Sequence, residues 1–469
     1  MTGSSSSSTR PPGPPVPVPT GGALARLADG SVLIAAGGTA RGRVAPPPSK
    51  SLSHRAFNLA LLAGEELVVE RSLAAEDAAL FRAALARLGF GVEAVDEAVE
   101  EAAEEAAGEA GVDVRLTPGD RPPAAQIECG NAGTMYRFLV ATLAALPGVW
   151  RLDGVPRLRQ RPVGPLVAAL RRLGAAIDSE RHGYAPLAIH GRRLTGGRTR
   201  LDAGVSSQYL SALLMAGLVA DGEIEIEVEA LASAPYVDLT LDVVERFAGQ
   251  VEATAGGYRV APGLRSPGRL RVEGDWSAAC YPAAAAALTG GTVVLAGVDS
   301  GSRQGDRRFL DLLAEMGAEV EPGAHGVEVR GTGGLRAVTA DLSAIPDQVP
   351  TLAALAPFAA GVTRIENVRH LRIKESDRLA AMAGELTRIG AEVEELEDGL
   401  VIPGVWAGRP PPAPAVPYRV DPRDDHRIAM SLALTALVRP GVAVADPHVV
   451  AKSYPGFWRD LAALLGTGS

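Results

Sequence analysis

The sequence predicts an α/β protein of two similar domains, each assembled from three copies of one α/β unit. Two observations carry that expectation. Six times a polar turn opens into an apolar helix rich in small residues, at "PSKSLSHR", "GNAGTMYR", "VSSQYLS", "GDWSAACY", "PDQVPTL" and "RDDHRIA". Each is followed by a second helix that runs into glycine, in "ALARLGFGVEA", "ALRRLGAAIDS", "VVERFAGQVEA", "LLAEMGAEVEP", "ELTRIGAEVEE" and "LAALLGTGS". A unit of about 70 to 80 residues buries little core alone, so the copies should group three to a domain.

The elements follow in order. Each first helix should stop near a glycine (Gly64, Gly148, Gly217, Gly290, Gly361, Gly441), because a left-handed residue closes a helix C-terminus at little cost when it has no Cβ. Each second helix should stop at Gly89, Gly174, Gly249, Gly317, Gly390 or Gly466. Strand candidates with Val or Ile follow the first five of these, as in "AEVEEL", while the sixth unit is cut short by the chain end. Residues 1–22, Ser- then Pro-rich, read as a disordered tail, and residues 92–111 ("VEAVDEAVEEAAEEAAGEAG") as an acidic surface excursion.

Bulk properties remove several functions. The 469 residues carry a net charge of −9, against broad attraction to nucleic acid or an anionic membrane. No apolar run is long and unbroken enough to span a bilayer. Two cysteines, Cys129 and Cys280, make no disulfide framework and suit a reducing cytoplasm, and seven scattered histidines give no metal-site spacing. Neither a metal nor a cofactor is expected.

What the helix mouths hold is chemically consistent. Ser51, Asn131 to Gly133, Ser206, Ser207, Asp275, Asp347, Asp424 and Asp425 are cap residues or offer unpaired backbone N–H groups. Around them lie Lys50 and Arg55; Arg137; Arg157, Arg159 and Arg161; Arg372, Lys374 and Arg378; Arg423 and Arg427; and Lys452. An acidic chain that gathers cations at helix N-termini should bind a small, multiply charged anion. Asp347 and Glu375, each beside cations, could divide base and acid work, although Asp347 by itself reads equally well as a helix cap.

Eleven motifs in order resemble those of the 5-enolpyruvylshikimate-3-phosphate synthase family of enolpyruvyl transferases. They are "SKSLSHRA", "GNAGTMYR", "PRLRQRPVG", "VSSQYLSALL", "SAPYVDLT", "VEGDWSAACY", "QGDRRF", "IPDQVPTLA", "LRIKESDRL", "DDHRIAM" and "AKSYPGF", and the resemblance covers about residues 40–458 apart from the acidic insertion. The resemblance implies an inside-out α/β barrel architecture of two domains, each of three βαβαββ units. It places 48–273 as a domain inserted into one formed by 23–47 and 274–469, with crossings near 46–49 and 272–275. It implies transfer of the enolpyruvyl group of phosphoenolpyruvate to the 5-hydroxyl of shikimate 3-phosphate, with release of phosphate, by a cytoplasmic monomer.

By the same resemblance, shikimate 3-phosphate is held by Lys50, Ser51, Arg55, Ser206, Ser207, Gln208, Ser233, Tyr236, Asp347, His370 and Lys374. Phosphoenolpyruvate is held by Lys50, Gly133, Arg161, Gln208, Arg378, Arg427 and Lys452, with Arg137, Asp425 and His426 in support. Asp347 matches the base, Glu375 the proton donor, and Lys50 reaches both substrates. The chain departs from the family pattern at Pro48, His54, Phe138, Ala234 and His370. Two rivals are a sugar-nucleotide enolpyruvyl transferase, acting on UDP-N-acetylglucosamine through a mobile-loop cysteine, and a non-catalytic anion-binding protein on the same scaffold. Cys129 sits in the approach to a helix, against the first, and both carboxylates are present, against the second.

Overall fold

A computed structural model describes residues 18, 22–95, 111–323, 326–409 and 411–466. Most of residues 1–22, and residues 96–110 of the acidic excursion, lie outside this set. The ends of that excursion are regular structure rather than a surface detour: residues 92–94 finish the strand Phe90–Ala94, and Gly111 leads straight into Val112–Pro118.

Twelve α-helices occur among the described residues, two per unit: α1 (Lys50–Ala63), α2 (Glu76–Arg87), α3 (Gly133–Ala145), α4 (Gly164–Arg172), α5 (Ser207–Gly217), α6 (Pro235–Arg246), α7 (Trp276–Thr289), α8 (Phe309–Glu315), α9 (Val349–Leu355), α10 (Arg378–Arg388), α11 (His426–Ala436) and α12 (Phe457–Leu464). The glycine signals separate by role. After α2, α4, α8, α10 and α12, glycines 89, 174, 317, 390 and 466 adopt positive φ one residue beyond the cap. After α6, Ala248 takes the left-handed position (φ 55) and Gly249 follows it. Among the first helices only Gly64 and Gly290 are left-handed caps. Gly148 begins the next strand, Gly217 is the last residue of α5, and Gly361 and Gly441 lie in the turns beyond.

Among the described residues each unit has one four-stranded sheet, six in all, and a two-stranded parallel pair joins Leu335–Arg336 to Ala359–Ala360. The second unit shows the plan: Ala124–Glu128, α3, Gly148–Asp153 in parallel with it, α4, then the antiparallel pair Ala176–Ser179 and Leu187–Gly191. Three units borrow strands from far along the chain. The first takes its leading strand from Arg269–Arg271, parallel to Leu67–Ser72. The fourth takes Arg41–Val44, parallel to Thr292–Leu295. The sixth, cut short in sequence, is completed by Leu24–Arg26 and Val32–Ile34, which extend the sheet of Tyr418–Val420 and Val442–Val444.

Two separate buried cores result. One gathers residues 52–272; the other gathers residues 24–44 with 276–464. In one lobe α1, α3 and α5 pack on one another, and in the other α7, α9 and α11 do so. A helix enclosed on every side must be apolar all round and slim, which accounts for "AACYPAAAAALT" in α7 and for full burial along most of α3 and α5. Val18 packs against the second of these cores.

The chain crosses between lobes twice, side by side. Ser49 N donates to Glu273 O (2.8 Å), Asp275 N donates to Pro47 O (2.8 Å), and Pro48 pairs with Gly274. Gln304 ties both crossings: its Oε1 accepts from Ser49 Oγ (3.1 Å) and Trp276 N (3.1 Å), and its Nε2 donates to Gly274 O and Glu273 Oε1 (2.8 Å each). The amide is buried, and its four partners use its whole hydrogen-bonding capacity.

Candidate active site

All six first-helix mouths open on one cleft between the lobes. Lys50 and Ser51 come from α1, Thr134 from α3, Ser206 to Gln208 from α5, Asp275 and Ser277 from α7, Asp347 from the turn into α9, and His426 and Arg427 from α11. The caps are local. Ser49, not Ser51, caps α1 by accepting from Leu52 N, which leaves the Ser51 hydroxyl to the cleft. Ser206, Asp275 and Asp425 cap α5, α7 and α11. Asp347 caps nothing; it lies in the 3₁₀ turn Pro346–Gln348, and its carboxylate turns to other partners.

Sixteen of the residues expected from sequence line this cleft: Lys50, Ser51, Arg55, Arg161, Ser206, Ser207, Gln208, Ser233, Tyr236, Asp347, His370, Lys374, Glu375, Arg378, His426 and Arg427. Gly133, Arg137, Asp425 and Lys452 stand directly behind. Gly133 starts α3, where a Cβ would land on the Arg161 guanidinium. Arg137 Nη1 donates to Gln208 Oε1 (2.7 Å), whose Nε2 donates to Thr134 Oγ1 (2.8 Å). Lys452 Nζ reaches across the cleft to Asn131 O (3.2 Å). Arg159, Arg372 and Arg423, which sequence had grouped with the mouths, are outlying ion pairs with Asp153, with Asp377 and Glu395, and with Glu385.

Charge distinguishes the cleft from the rest of this acidic chain. Six cations (Lys50, Arg55, Arg161, Lys374, Arg378, Arg427) face three carboxylates (Asp275, Asp347, Glu375), an excess of three positive charges in a partly dry site. Arg378 organises the carboxylates. Its Nη1 donates to Asp347 Oδ1 (2.9 Å), its Nη2 to Glu375 Oε2 (2.9 Å) and its Nε to Asp425 Oδ2 (2.8 Å). Arg427 Nη2 donates to Asp347 Oδ2 (2.8 Å), and Arg161 Nη1 reaches Glu375 Oε1 (3.5 Å) from the opposite lobe.

These neighbours set the titrations. Burial alone would raise the Asp347 carboxyl, but Arg427 and then Arg378 outweigh it and hold the group below its ordinary range. Burial likewise raises Glu375, and the charges of Arg161, Arg378 and Lys452 reverse that and hold it well below. Burial pushes Lys374 down to about 8, against the pull of Asp347. It pushes His370 down to about 4, with Lys374 adding to the shift, so the imidazole is neutral near pH 7.

Sequence reasoning placed Asp275 at a helix mouth only as a cap, and did not name Thr134 or Ser277 in the lining, nor three residues behind it. Asp77 Oδ2 accepts from Lys50 Nζ (3.3 Å). Gln304 holds the crossing just before Lys50. Asp306 Oδ2 accepts from the Tyr236 hydroxyl (2.8 Å). The last two lie in "QGDRRF", so the motif was visible, whereas the contacts that give it a role come from distant chain.

No group of three or more His, Cys, Asp and Glu side chains suited to a metal occurs among the described residues, and no helix there is long and apolar enough to cross a membrane.

The fold and the cleft define a two-lobed α/β protein in which six helix N-termini and an excess of cations converge on one site. Residues 34–461 match the family EPSP synthase (3-phosphoshikimate 1-carboxyvinyltransferase). The 3-phosphoshikimate 1-carboxyvinyltransferase of Syntrophobacter fumaroxidans is 44% identical over 430 residues, 90% of this chain and 97% of the relative. That of Methanoculleus marisnigri is 42% identical over 430 residues, covering 90% and 96%. Among solved structures, EPSP synthase from Acinetobacter baumannii superposes with a TM-score of 0.72 at 27% identity, over 92% of this chain and 97% of that one. The chain belongs to the EPSP synthase family.

Proposed function

We propose that the protein transfers the enolpyruvyl group of phosphoenolpyruvate to the 5-hydroxyl of shikimate 3-phosphate and releases phosphate, a step of aromatic amino acid biosynthesis. The observation that carries the reading is the Arg378 bridge: two carboxylates, held apart by one guanidinium, inside a cleft with three surplus positive charges. Lys50, Ser51, Arg55, Ser206, Ser207, Gln208, Ser233, Tyr236, His370 and Lys374 hold shikimate 3-phosphate. The carboxylate and phosphate of phosphoenolpyruvate fall to Gly133 N–H, Arg161, Arg378, Arg427 and Lys452, with Lys50 and Gln208 between the two.

The chemistry follows from the ion pairs. Asp347 is ionised in the free site and takes the proton of the 5-hydroxyl as that oxygen bonds to C2 of phosphoenolpyruvate. A proton must reach the methylene carbon at the same time, and Glu375 supplies it. Its ionised state in the empty cleft is maintained by Arg161, Arg378 and Lys452, the same cations that phosphoenolpyruvate engages. Bound substrate anions therefore neutralise the charges that keep Glu375 deprotonated, and the carboxyl acquires its proton when it is needed. In the tetrahedral adduct the roles turn round: Glu375 removes a methyl proton, the C2–C3 double bond re-forms, the C2–O bond to phosphate breaks while fixed cations stabilise the leaving anion, and Asp347 gives its proton up to the departing phosphate.

We further propose that the protein acts as a cytoplasmic monomer whose lobes, 23–47 with 274–469 and 48–273, close about the paired crossings at 46–49 and 272–275. The test is phosphate release from purified protein. It should require both substrates together; release with UDP-N-acetylglucosamine in place of shikimate 3-phosphate would refute the assignment.

A further inference from the structure

One buried carboxylate beside the site has no part in the chemistry above. Asp306 lies in the 3₁₀ turn Gly305–Arg308, is 2% exposed, and belongs to the lobe opposite Tyr236. The Tyr236 hydroxyl, at the start of α6, stands between two acids: 2.8 Å from Asp306 Oδ2 and 3.3 Å from Asp347 Oδ2. A phenol has one proton to donate, so it can satisfy only one carboxylate and must turn lone pairs to the other. The distances say which: the proton goes to Asp306.

The far oxygen of Asp306 is also committed. Gln348 Nε2 donates to Asp306 Oδ1 (2.8 Å), and the Gln348 amide is oriented by Thr351 Oγ1, which donates to its Oε1 (3.2 Å). Burial, and then the charge of Asp347, push the Asp306 carboxyl up, which strengthens it as an acceptor.

We infer that Asp306 is a positioning residue for the base: by holding the Tyr236 hydroxyl proton, it presents the Tyr236 oxygen to Asp347 as an acceptor. Before reaction that arrangement denies Asp347 a donor that would weaken it as a base. During reaction the substrate O–H bond breaks, the proton moves to Asp347, and the new Asp347 O–H has the Tyr236 oxygen to donate to. Asp306 and Tyr236 exchange no proton. The inference rests on Asp347 being the base.

The test is a double-mutant cycle on the full chain. In Asp306→Asn the amide oxygen must face the Gln348 donor, so its NH₂ faces Tyr236 and turns the phenol proton onto Asp347. The expected result is kcat lowered about tenfold to a hundredfold, the range for a hydrogen bond to a charged group, with the calorimetric affinity for shikimate 3-phosphate unchanged. In a Tyr236→Phe background the same substitution should cost nothing further. Wild-type kcat in Asp306→Asn, loss of affinity in place of kcat, or an equal additional loss in the Phe background would each overturn the inference. If Asp306→Asn does not fold, Asp306→Ala, which removes the competing acceptor and so leaves the phenol proton to Asp347, carries the same cycle with the same expectations. Asp347→Ala is measured alongside: turnover surviving there would refute the base itself, a failure separate from that of Asp306.

Discussion

Asp347 and Glu375 do not touch, yet both are held by Arg378, one through each terminal nitrogen at 2.9 Å. The shared guanidinium fixes the distance between the two carboxylates and couples their charges. Behind it, Asp425 accepts from Arg378 Nε and also caps α11 through Arg427 N (3.0 Å), so one buried aspartate positions both arginines.

That dependence predicts the effect of Asp425→Ala. The substitution leaves a buried guanidinium short of a partner and uncaps a helix, and unfolding free energy should fall by about 3–5 kcal/mol. Urea denaturation reads this directly; a change below about 1 kcal/mol, the range of a surface pair, would show that Asp425 is not the anchor.

Binding of phosphoenolpyruvate to the protein already loaded with shikimate 3-phosphate should take up protons near neutral pH. The cations that depress Glu375 are claimed by the incoming anion, so its carboxyl rises toward neutral pH and gains a proton. Calorimetry in buffers of different ionisation heat gives the proton count. Net release would contradict the proposed origin of the donor's proton.

Affinity for shikimate 3-phosphate should fall as pH rises through the range of Lys374. Burial holds this group near 8, so the free site loses a positive charge above that value, while a phosphate monoester is already fully ionised. Titrations from about pH 7 to about pH 9 should show the decline. Lys374→Arg, charged throughout, should flatten it.

Gln304 should govern closure from outside the cleft. Gln304→Leu removes four hydrogen bonds at the crossings and takes the buried amide donor from Gly274 O, while Glu273 keeps Ser302 Oγ, so stability should drop by about 1–3 kcal/mol. KM for both substrates should rise together, since the lobes contribute complementary halves of the site. Unchanged KM values with lowered stability would confine Gln304 to a structural role.

Much of this was legible in the chain because repeat and mouth signals are local. Five of the second-helix glycines sit at left-handed positions that a Cβ would strain, so they recur in register. Cap residues and cations at the six mouths mark a converging site before any coordinates exist. What stayed hidden is pairing between distant segments. Residues 24–34 complete the sixth sheet, and Arg269–Arg271 leads the first, through strands of three residues, too short for a readable alternation. Gly148 looked like a helix stop and is the start of a strand, because a glycine after a helix carries the same local signal in either case. Asp306 was visible in its motif, but its role depends on Tyr236, 70 residues away.

The central claim is that Asp347 and Glu375 divide base and acid work across Arg378. Steady-state turnover of Asp347→Ala and Glu375→Ala, with calorimetric binding of both substrates, tests it most directly. The account predicts that kcat falls at least about 100-fold in each while both substrates still bind, since each variant removes a negative charge from a site for anions. Near-normal turnover in either variant would contradict it.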